Sequence, residues 1–477
     1  MPSQPLRPLG PSLAFAAQLL LGIAGTFGTA LPAQEEKPRP NILLLVTDDQ
    51  RWDAMRCAGN ALAITPNLDA LANDGVRFRN AFVTTAICAA SRASILTGRY
   101  ERSHRSTFGT PPLREDCVVS SYPVQLRNAG YRTGFVGKFG VGTTKGDPAR
   151  MFDSFAPLGP GSYWQKQPDG SQRHFTDITG DRAVAFLASC TPDQPWCLSI
   201  SFNAPHAVDG DPQQYFWPKA MDTWYADTVF PVPKTMAPEH FAAQQPFLQT
   251  SESRTRFLWR FDEPEKYQTM VRGYYRMISG VDAVIGRLRK ELQTRGLADN
   301  TVIVFCSDNG YFLGERGFAD KWYAYEPSVR IPLILADPRL PDIRKGTTCD
   351  LMALNVDLAP TVLDLAALQA PKHYQGHSLM PLVRGRAPVD WRTDFFYEHL
   401  FHHKSIPKSE GVRTERFTYL RWFESDPLQE ELYDHQADFD EVQNLVHVPA
   451  YAEVLAKLRT RTDALRDQYA AAMPASK

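Results

Sequence analysis

The chain has 477 residues, of which 43% are hydrophobic and 22% are charged, and its net charge is −1. This composition is that of a globular protein with a large core and excludes a repeat or low-complexity protein. The balanced charge provides no basic excess for binding nucleic acid or an anionic membrane, so neither is expected as a partner.

The N-terminus has the order of a secretory signal. Arg7 precedes an apolar run, Leu13 to Ile23, which is followed by small residues up to Ala33. The run is shorter than the ~20 apolar residues that a membrane span needs. We therefore predict a signal peptide over residues 1–33, no stable membrane span, and a secreted or periplasmic protein.

The chain contains seven cysteines, which is an odd number. In an oxidising compartment at least one thiol must then be unpaired within the chain. Cys190 and Cys197 flank a loop that contains a proline, and they are candidates for a disulfide.

Short apolar runs recur along the chain, and each stops at polar residues. Such runs are typical of strands buried on both faces of a parallel sheet. Helical patterns lie between them, the clearest from Tyr274 to Leu292 and another from Val356 to Leu368. The runs are Ile42–Val46, Thr133–Gly137, Trp196–Phe202 and Thr301–Cys306.

This alternation predicts an α/β fold with a large mixed, mainly parallel sheet sandwiched between helices over residues 34–390. Ligands of such sheets bind outside the carboxyl ends of the strands, so the four strand exits are expected to share one site. Alternating segments and a final helix near 451–469 predict a smaller C-terminal α+β subdomain with an antiparallel sheet over 391–477. A long insertion covers residues 208–267, and its aromatic residues either contact substrate or belong to the core: Tyr215, Phe216, Trp217, Trp224 and Tyr225.

Two pairs of oxygen-bearing side chains follow predicted strands. Asp48 and Asp49 follow the first strand, and Asp308 and Asn309 follow the fourth. Three carboxylates and an amide are hard ligands, which favours Ca²⁺, or less well Mg²⁺, over Zn²⁺. Each pair alone is also typical of a turn or a helix cap.

The segment Cys88–Arg99, with the sequence CAASRASILTGR, predicts a short helix that begins at Cys88 and ends at Gly98. The N-terminus of a helix stabilises an anion and is expected to lower the pKa of a thiol there. The ordinary alternative for a lone cysteine is a buried structural thiol.

This segment resembles the signature of the type I sulfatases of the alkaline phosphatase superfamily, Cys-x-Pro/Ala-x-Arg followed by Leu-Thr-Gly-Arg. The resemblance extends along nearly the whole mature chain. It includes Asn41–Gln50, Pro66–Asp69, Gly130–Lys138, Pro205–His206, Ser307–Gly310, Lys321–Glu326, Val356–Thr361 and Glu431–Asp434.

The resemblance implies that a maturation enzyme oxidises Cys88 to formylglycine (3-oxoalanine). In that family the hydrated aldehyde attacks sulfur with one hydroxyl, and the second hydroxyl helps to expel sulfate. Ca²⁺ would be held by Asp48, Asp49, Asp308 and Asn309, and would also contact modified Cys88.

The resemblance also assigns roles to four further residues. Arg92 would steady the diol, and Lys138 and Lys321 would bind sulfate oxygens. His206 would contact the sulfate or protonate the leaving oxygen.

The chain departs from the family pattern at two positions. Ala90 stands where proline is more usual, and many relatives have Gly-Lys-Trp-His where this chain has Gly137-Lys138-Phe139-Gly140. The histidine that would assist sulfate release is therefore missing, and His104 is a candidate substitute.

We predict a sulfuric ester hydrolase that acts on a sulfated glycan or a small sulfate ester. A phosphodiesterase or phosphonate hydrolase of the same superfamily is one alternative, and an unmodified protein that only binds sulfated glycans is another. Residues that the sequence offers for the pocket without placing them there are His373, His377, His399, His402, His403, Arg330 and Arg413.

Overall fold

The computed structural model describes residues 39–159, 161 and 163–471. Its central feature is an eight-stranded sheet. The predicted signal peptide lies outside the described residues. The strands are β1 (Asn41–Thr47), β2 (Val76–Phe78), β3 (Arg132–Gly137), β4 (Ser154–Pro157), β5 (Trp196–Ser201), β6 (Thr301–Ser307), β7 (Leu333–Ala336) and β8 (Thr347–Cys349). Their order is β8-β2-β7-β6-β1-β5-β3-β4, and only β7 runs antiparallel to its neighbours.

The central strands are buried because their side chains alternate between two apolar layers. Leu43 and Leu45 of β1 belong to one layer, whereas Leu44 and Val46 belong to the other. The first layer includes Ile278 of the long helix Pro264–Thr294, and the second includes the helix Cys88–Thr97. The predicted α/β fold with a mainly parallel sheet between helices is therefore confirmed.

Shorter elements complete the part of the chain that the structure describes. The other helices are Pro66–Asn73, Glu101–His104, Glu115–Ser120, Tyr122–Asn128, Asp147–Met151, Phe175–Ala188, Pro238–Ala242, Pro246–Gln249, Glu252–Arg260, Glu326–Val329, Leu358–Leu365, Met380–Val383 and Ala452–Ala471. Two-stranded ladders pair Ala81–Phe82 with Ala353–Leu354, Trp164–Lys166 with Gln172–His174, and Phe312–Leu313 with Ala319–Asp320. None of the described helices is both long and apolar enough to span a membrane.

A four-stranded antiparallel sheet lies in the C-terminal part of the chain, as predicted. Its strands are Asp394–His399, Ser409–Thr414, Phe417–Trp422 and Gln429–Asp434. Tyr397 shares a core with the helix Cys88–Thr97, and its hydroxyl donates a hydrogen bond to the carbonyl of Trp322 (2.6 Å). This sheet therefore packs beside the segment that carries Lys321. The subdomain boundary at residue 390 stays a prediction.

The insertion aromatics belong to the core rather than to an exposed sugar-binding face. Tyr215 and Tyr225 are buried, and Phe216, Trp217 and Trp224 pack against the same apolar layer.

A buried charge cluster joins the C-terminal sheet to the helix Glu326–Val329. Arg413 donates two hydrogen bonds to Glu326 Oε1 (2.9 and 2.7 Å), and Arg330 donates one to Glu326 Oε2 (3.2 Å). The backbone N–H of Glu326 donates to Glu441 Oε2 (3.0 Å). Arg330 and Arg413 are thus engaged in a structural cluster.

The free energy of unfolding is expected to depend on pH through Glu441. Burial, with Arg316 opposing it, raises the pKa of Glu441 from 4.5 to about 8. The stability that this shift contributes is complete below the unfolded pKa and is lost as pH rises through the folded pKa. As pH rises from roughly 5 to 8, the free energy of unfolding of the wild type should fall by about 1 kcal/mol per pH unit relative to that of Glu441→Gln. Urea denaturation at several pH values measures this, with exposed Glu415→Gln as control; parallel pH profiles of wild type and Glu441→Gln would contradict it.

Candidate active site

The carboxyl ends of β1 and β6 bring four predicted ligands together. The two strands are parallel neighbours in register, with Thr47 opposite Ser307. Asp49 therefore donates its backbone N–H to Asp308 Oδ1 (3.3 Å), and Asn309 Nδ2 donates to Asp49 Oδ1 (2.6 Å). The side chains of Asp48, Asp49, Asp308 and Asn309 are completely buried.

Three oxygens in this group have no hydrogen-bond partner in the described part of the protein: Asp48 Oδ1, Asp49 Oδ2 and Asn309 Oδ1. Buried polar atoms are normally satisfied, so three unpartnered oxygens at one place require an explanation. A hard cation is one, because carboxylate and amide oxygens are the ligands it prefers.

Burial affects the pKa values of these carboxylates unequally. Burial raises the pKa of Asp49 to about 6, with Lys321 opposing and Asp48 adding to the effect. Burial and the charge of Asp48 raise the pKa of Asp308 to about 7. Burial also raises the pKa of Asp48, but Lys138, His206 and Arg92 outweigh it and hold that pKa well below its usual range. Nearby cations therefore favour the charged form of Asp48 most strongly.

Cys88 is the first residue of the helix Cys88–Thr97, as predicted, and Gly98 ends this helix in the left-handed conformation. The thiol is buried and interacts electrostatically with Lys138, Lys321, Asp48 and Asp308. The expectation of a lowered thiol pKa is wrong. Burial raises the pKa of Cys88 even though the two lysines oppose it.

Arg92 connects the Cys88 helix to the ligand group. Its Nε donates to Asp308 Oδ2 (2.8 Å), and its Nη2 donates to Asp48 Oδ2 (3.3 Å). Nη1 donates to the Lys138 carbonyl (2.7 Å) and to Ser201 Oγ. Ser201, the last residue of β5, is a site residue that sequence reasoning missed, because a serine ending a strand carries no distinctive signal.

Two lysines lie against the carboxylates. Lys138, just beyond β3, donates to Asp48 Oδ2, and Lys321 donates to Asp49 Oδ1. Lys321 Nζ is also 3.9 Å from Asp48 Oδ1. Burial lowers the pKa of each lysine, but the carboxylates outweigh it and raise both pKa values. Both ammonium groups therefore stay charged at neutral pH.

His206 also belongs to this site. Its Nε2 is 3.7 Å from Asp49 Oδ2, and ligand atoms of Asp48, Asp49 and His206 lie within 4.8 Å of one another. Nδ1–H donates to the Ala207 carbonyl (2.5 Å). Burial and the charges of Lys321 and Lys138 lower the pKa of His206 to about 4. The neutral ring therefore presents Nε2 as an acceptor. The predicted metal ligands did not include this histidine.

Gly140, one of the two departures from the family pattern noted in the sequence, lies directly against Arg92. Its φ is +68°, and a Cβ added there would be 2.9 Å from Arg92 Cδ. A side chain at this position is strained by the backbone and displaces the guanidinium that holds Asp48 and Asp308.

Gly140→Ala is therefore expected to lower kcat/KM for the sulfatase reaction that the resemblance implies by about 10- to 100-fold through a shift of Arg92. Gly296→Ala is the matched control, because Gly296 has a φ of +67° and no atom within 4 Å of its added Cβ. Both substitutions add a β-carbon at a positive φ and should therefore lower the free energy of unfolding by a similar amount. Only Gly140→Ala should also lower the activity of the folded protein. Equal losses of activity would contradict this role.

The structure does not make His104 a substitute for the missing histidine. Its Nε2 is 3.1 Å from Ser94 Oγ, and its Nδ1 accepts the N–H of Ser106 (3.0 Å). Both ring nitrogens thus have protein partners. The candidate disulfide is also absent, because Cys190, Cys197 and the other five cysteines are free thiols.

A cavity of 860 Å³ adjoins the site and is lined by Lys138 and His206. Phe139 and Phe155 form part of its wall, and Asn203 and Asp209 supply polar atoms. Sequence reasoning did not identify these four residues, although Phe139 directly follows Lys138 and Asn203 follows the third predicted strand.

The chain is similar in sequence and in fold to known proteins. A family model described as Sulfatase matches residues 40–368, and one described as N-sulphoglucosamine sulphohydrolase, C-terminal, matches residues 314–468. The chain is 30% identical to an N-acetylglucosamine-6-O-sulfatase of Bacteroides thetaiotaomicron, over 92% of this chain and 88% of the relative.

Two solved structures are also similar to the chain. One is of a protein in complex with its substrate D-glucosamine-2-N,6-O-disulfate, with a TM-score of 0.80 and 28% identity over 91% of this chain and 98% of the other. The second is a phosphonate monoester hydrolase from Silicibacter pomeroyi, with a TM-score of 0.76 and 27% identity over 90% of this chain and 96% of the other.

Proposed function

Because the chain belongs to the formylglycine-dependent sulfatase family of the alkaline phosphatase superfamily, we propose that it releases inorganic sulfate from a sulfated carbohydrate. The proposed nucleophile is formylglycine made from Cys88, and the proposed cofactor is Ca²⁺. The observation that carries this proposal is the group of three unpartnered oxygens beside the helix that begins at Cys88.

The donor set fits calcium. Asp48, Asp49 and Asn309 each offer a buried oxygen without a hydrogen-bond partner, and Asp308 completes the predicted ligands. Oxygen donors of this kind suit a hard cation. When bound, calcium supplies positive charge that polarises sulfate oxygens and lowers the cost of ionising the nucleophile.

A formylglycine at position 88 supplies an oxygen nucleophile in place of a thiol whose pKa burial has raised. Its place at the first residue of a helix provides free backbone N–H groups for an anion. The proposed partner for this modification is a formylglycine-generating maturation enzyme. Ala90, in the position where proline is more usual, belongs to the sequence motif that this enzyme would recognise.

The protein's charged side chains support sulfate binding and transfer. Lys138 and Lys321 stay protonated and stabilise negative charge on the sulfate oxygens. Arg92 positions Asp48 and Asp308 through direct hydrogen bonds. His206, neutral at pH 7, would take up at Nε2 the proton that the attacking hydroxyl group releases and pass it to the leaving oxygen.

The relatives favour a carbohydrate substrate. One is named for the 6-O-sulfate of N-acetylglucosamine, and another was solved with a disulfated glucosamine as its substrate. We propose a sulfated glucosamine unit of a glycosaminoglycan as the substrate class, reached outside the cell or in the periplasm after removal of the N-terminal signal.

Two measurements on one sample test this proposal. Mass spectrometry of the peptide that contains residue 88 should show a loss of about 18 Da relative to cysteine. A panel of sulfated oligosaccharides should then release inorganic sulfate, detected by ion chromatography. A modified sample that releases no sulfate from any ester would contradict the proposal, and an unmodified sample would favour a protein that only binds sulfated glycans.

A phosphonate monoester hydrolase is a second candidate function, favoured by the similarity to the enzyme from Silicibacter pomeroyi. The same cationic group would stabilise a phosphonate ester in its transition state. Parallel assays of matched aryl sulfate and aryl phosphonate esters separate the two, because the primary activity has the larger kcat/KM.

A further inference from the structure

We propose that the site selects a sulfate ester on an uncharged sugar residue and discriminates against a sugar that carries a second anionic group. This inference rests on the proposed sulfatase function and narrows the proposed glucosamine unit to its N-acetylated form, in contrast to the N-sulfated substrate of the similar solved structure. It comes from the chemistry of the 860 Å³ cavity beside Lys138 and His206.

The cavity has the size of a sugar-binding pocket. Small-molecule sites typically enclose roughly 300–1,000 Å³, which accommodates one or two sugar rings. Because Lys138 and His206 both contact the ligand group and line the cavity, the sulfate and its leaving group would lie at adjoining positions.

The wall of the cavity is mostly apolar. Phe139, Val141, Phe155, Leu158 and Val208 all contribute to it. The rings of Phe139 and Phe155 pack edge to face, with centroids 5.3 Å apart, so each holds the other in place. A rigid aromatic surface suits the apolar C–H face of a sugar ring, whereas it gives no compensation for a desolvated charge.

No free cation is available for a second anion among the described lining residues. Lys138 is the only lysine or arginine there, and it is paired with Asp48. Asp209 also lines the cavity and brings negative charge.

Two arginines near Asp209 are already engaged. Arg256 contacts Asp209 at 2.8 Å and Asp320 at 2.9 Å, and Arg260 contacts the same carboxylates at 2.7 and 2.6 Å. Arg256 also contacts Glu252 at 3.0 Å, so three carboxylates surround these two cations and the group keeps a net negative charge. A carboxylate or N-sulfate group on the sugar would therefore enter without a partner, next to a like charge.

Two of the polar groups that line the cavity can accept hydrogen bonds, which favours a sugar over an aromatic leaving group. Asn203 Oδ1 is buried and has no hydrogen-bond partner in the described residues. The Asp209 carboxylate also accepts hydrogen bonds. Sugar hydroxyl and acetamido groups donate to such atoms, whereas an aryl ring has no donor to offer.

Matched pairs of monosaccharides test the proposal. Each pair carries sulfate at the same ring position, and its members differ by N-acetyl against N-sulfo substitution, or by a neutral sugar against the corresponding uronic acid. For the preferred position, kcat/KM for the neutral member should be about 100-fold higher. Equal or higher values for the dianionic member would overturn the inference while leaving the sulfatase function intact.

The same panel includes 4-nitrophenyl sulfate. Hydrolysis of this ester much faster than that of every sugar sulfate would overturn the assignment of a sugar. Release of no sulfate at all, from protein with verified formylglycine, would instead count against the proposed function.

Asn203→Ala tests whether Asn203 Oδ1 accepts a hydrogen bond from the sugar. It should lower kcat/KM for the neutral sugar sulfate by about 10-fold more than for 4-nitrophenyl sulfate, mainly through KM. Gln167→Ala, in the exposed turn between Trp164–Lys166 and Gln172–His174, is the control for handling and stability. Equal losses on both substrates would mean that Asn203 supports the fold and would overturn its role as an acceptor.

Discussion

Cys88→Ala is expected to lower kcat for sulfate release by about 10⁵-fold, because it removes the only source of the proposed covalent nucleophile. Residual activity would come from binding and charge stabilisation by Lys138 and Lys321. Stopped assays of released sulfate at saturating substrate measure the loss. The fold should persist, because alanine is tolerated as the first residue of a helix that is otherwise unchanged.

Cys197→Ala is the matched control for this substitution. Cys197 is also a buried free thiol, and it lies in β5 of the same sheet. Its removal creates a similar small cavity but leaves the proposed nucleophile in place, so activity should remain within a few-fold of the wild type. Retention of substantial activity in Cys88→Ala would show that the chain uses another nucleophile.

Removal of the proposed Ca²⁺ is expected to lower activity by about 10³-fold, because the cation would neutralise charge in the transition state. Dialysis against a calcium chelator should cause this loss, and added Ca²⁺ should restore activity better than Mg²⁺. At Ca²⁺ concentrations near 100 times its dissociation constant, the free energy of unfolding should rise by about 2.7 kcal/mol. Calorimetric titration of chelator-treated protein measures binding independently of activity.

Asp308→Ala tests the same site through the protein. It removes a predicted ligand and leaves Arg92 Nε without its carboxylate, so calcium binding should be lost and the unfolding free energy should fall by about 3 kcal/mol. Asp169→Ala, in an exposed turn, is the control. Calcium affinity that is unchanged in Asp308→Ala would remove this residue from the ligand set.

The sequence was informative where local pattern and topology coincide. The apolar runs before Asp48 and Asp308 predicted parallel strands, and neighbouring parallel strands place their carboxyl ends at one edge. The Cys88 motif predicted a helix that begins at that residue, and the structure has it there. These features depend on short stretches of chain, and the structure of such stretches can be predicted from the local sequence pattern.

The acidity of the Cys88 thiol could not be derived in this way. The helix N-terminus alone predicts a lowered pKa, but complete burial dominates and raises it. Burial is a property of the packed layers around a residue, and neighbours in sequence do not reveal it. The same holds for His104, whose ring is satisfied by Ser94 and Ser106 rather than directed to the site.

The family, the mainly parallel α/β architecture and the residue types that the chemistry requires can be derived from the amino-acid sequence. The coordinates were needed to show which oxygens lack partners, that Arg92 connects Asp308 and Asp48 to the Cys88 helix, and that Gly140 leaves room for that arginine. They also showed that the cavity beside Lys138 is apolar and holds no spare cation among its described residues. The physical reason is that these properties arise from contacts between segments up to hundreds of residues apart, whose distances follow from packing and not from spacing along the chain.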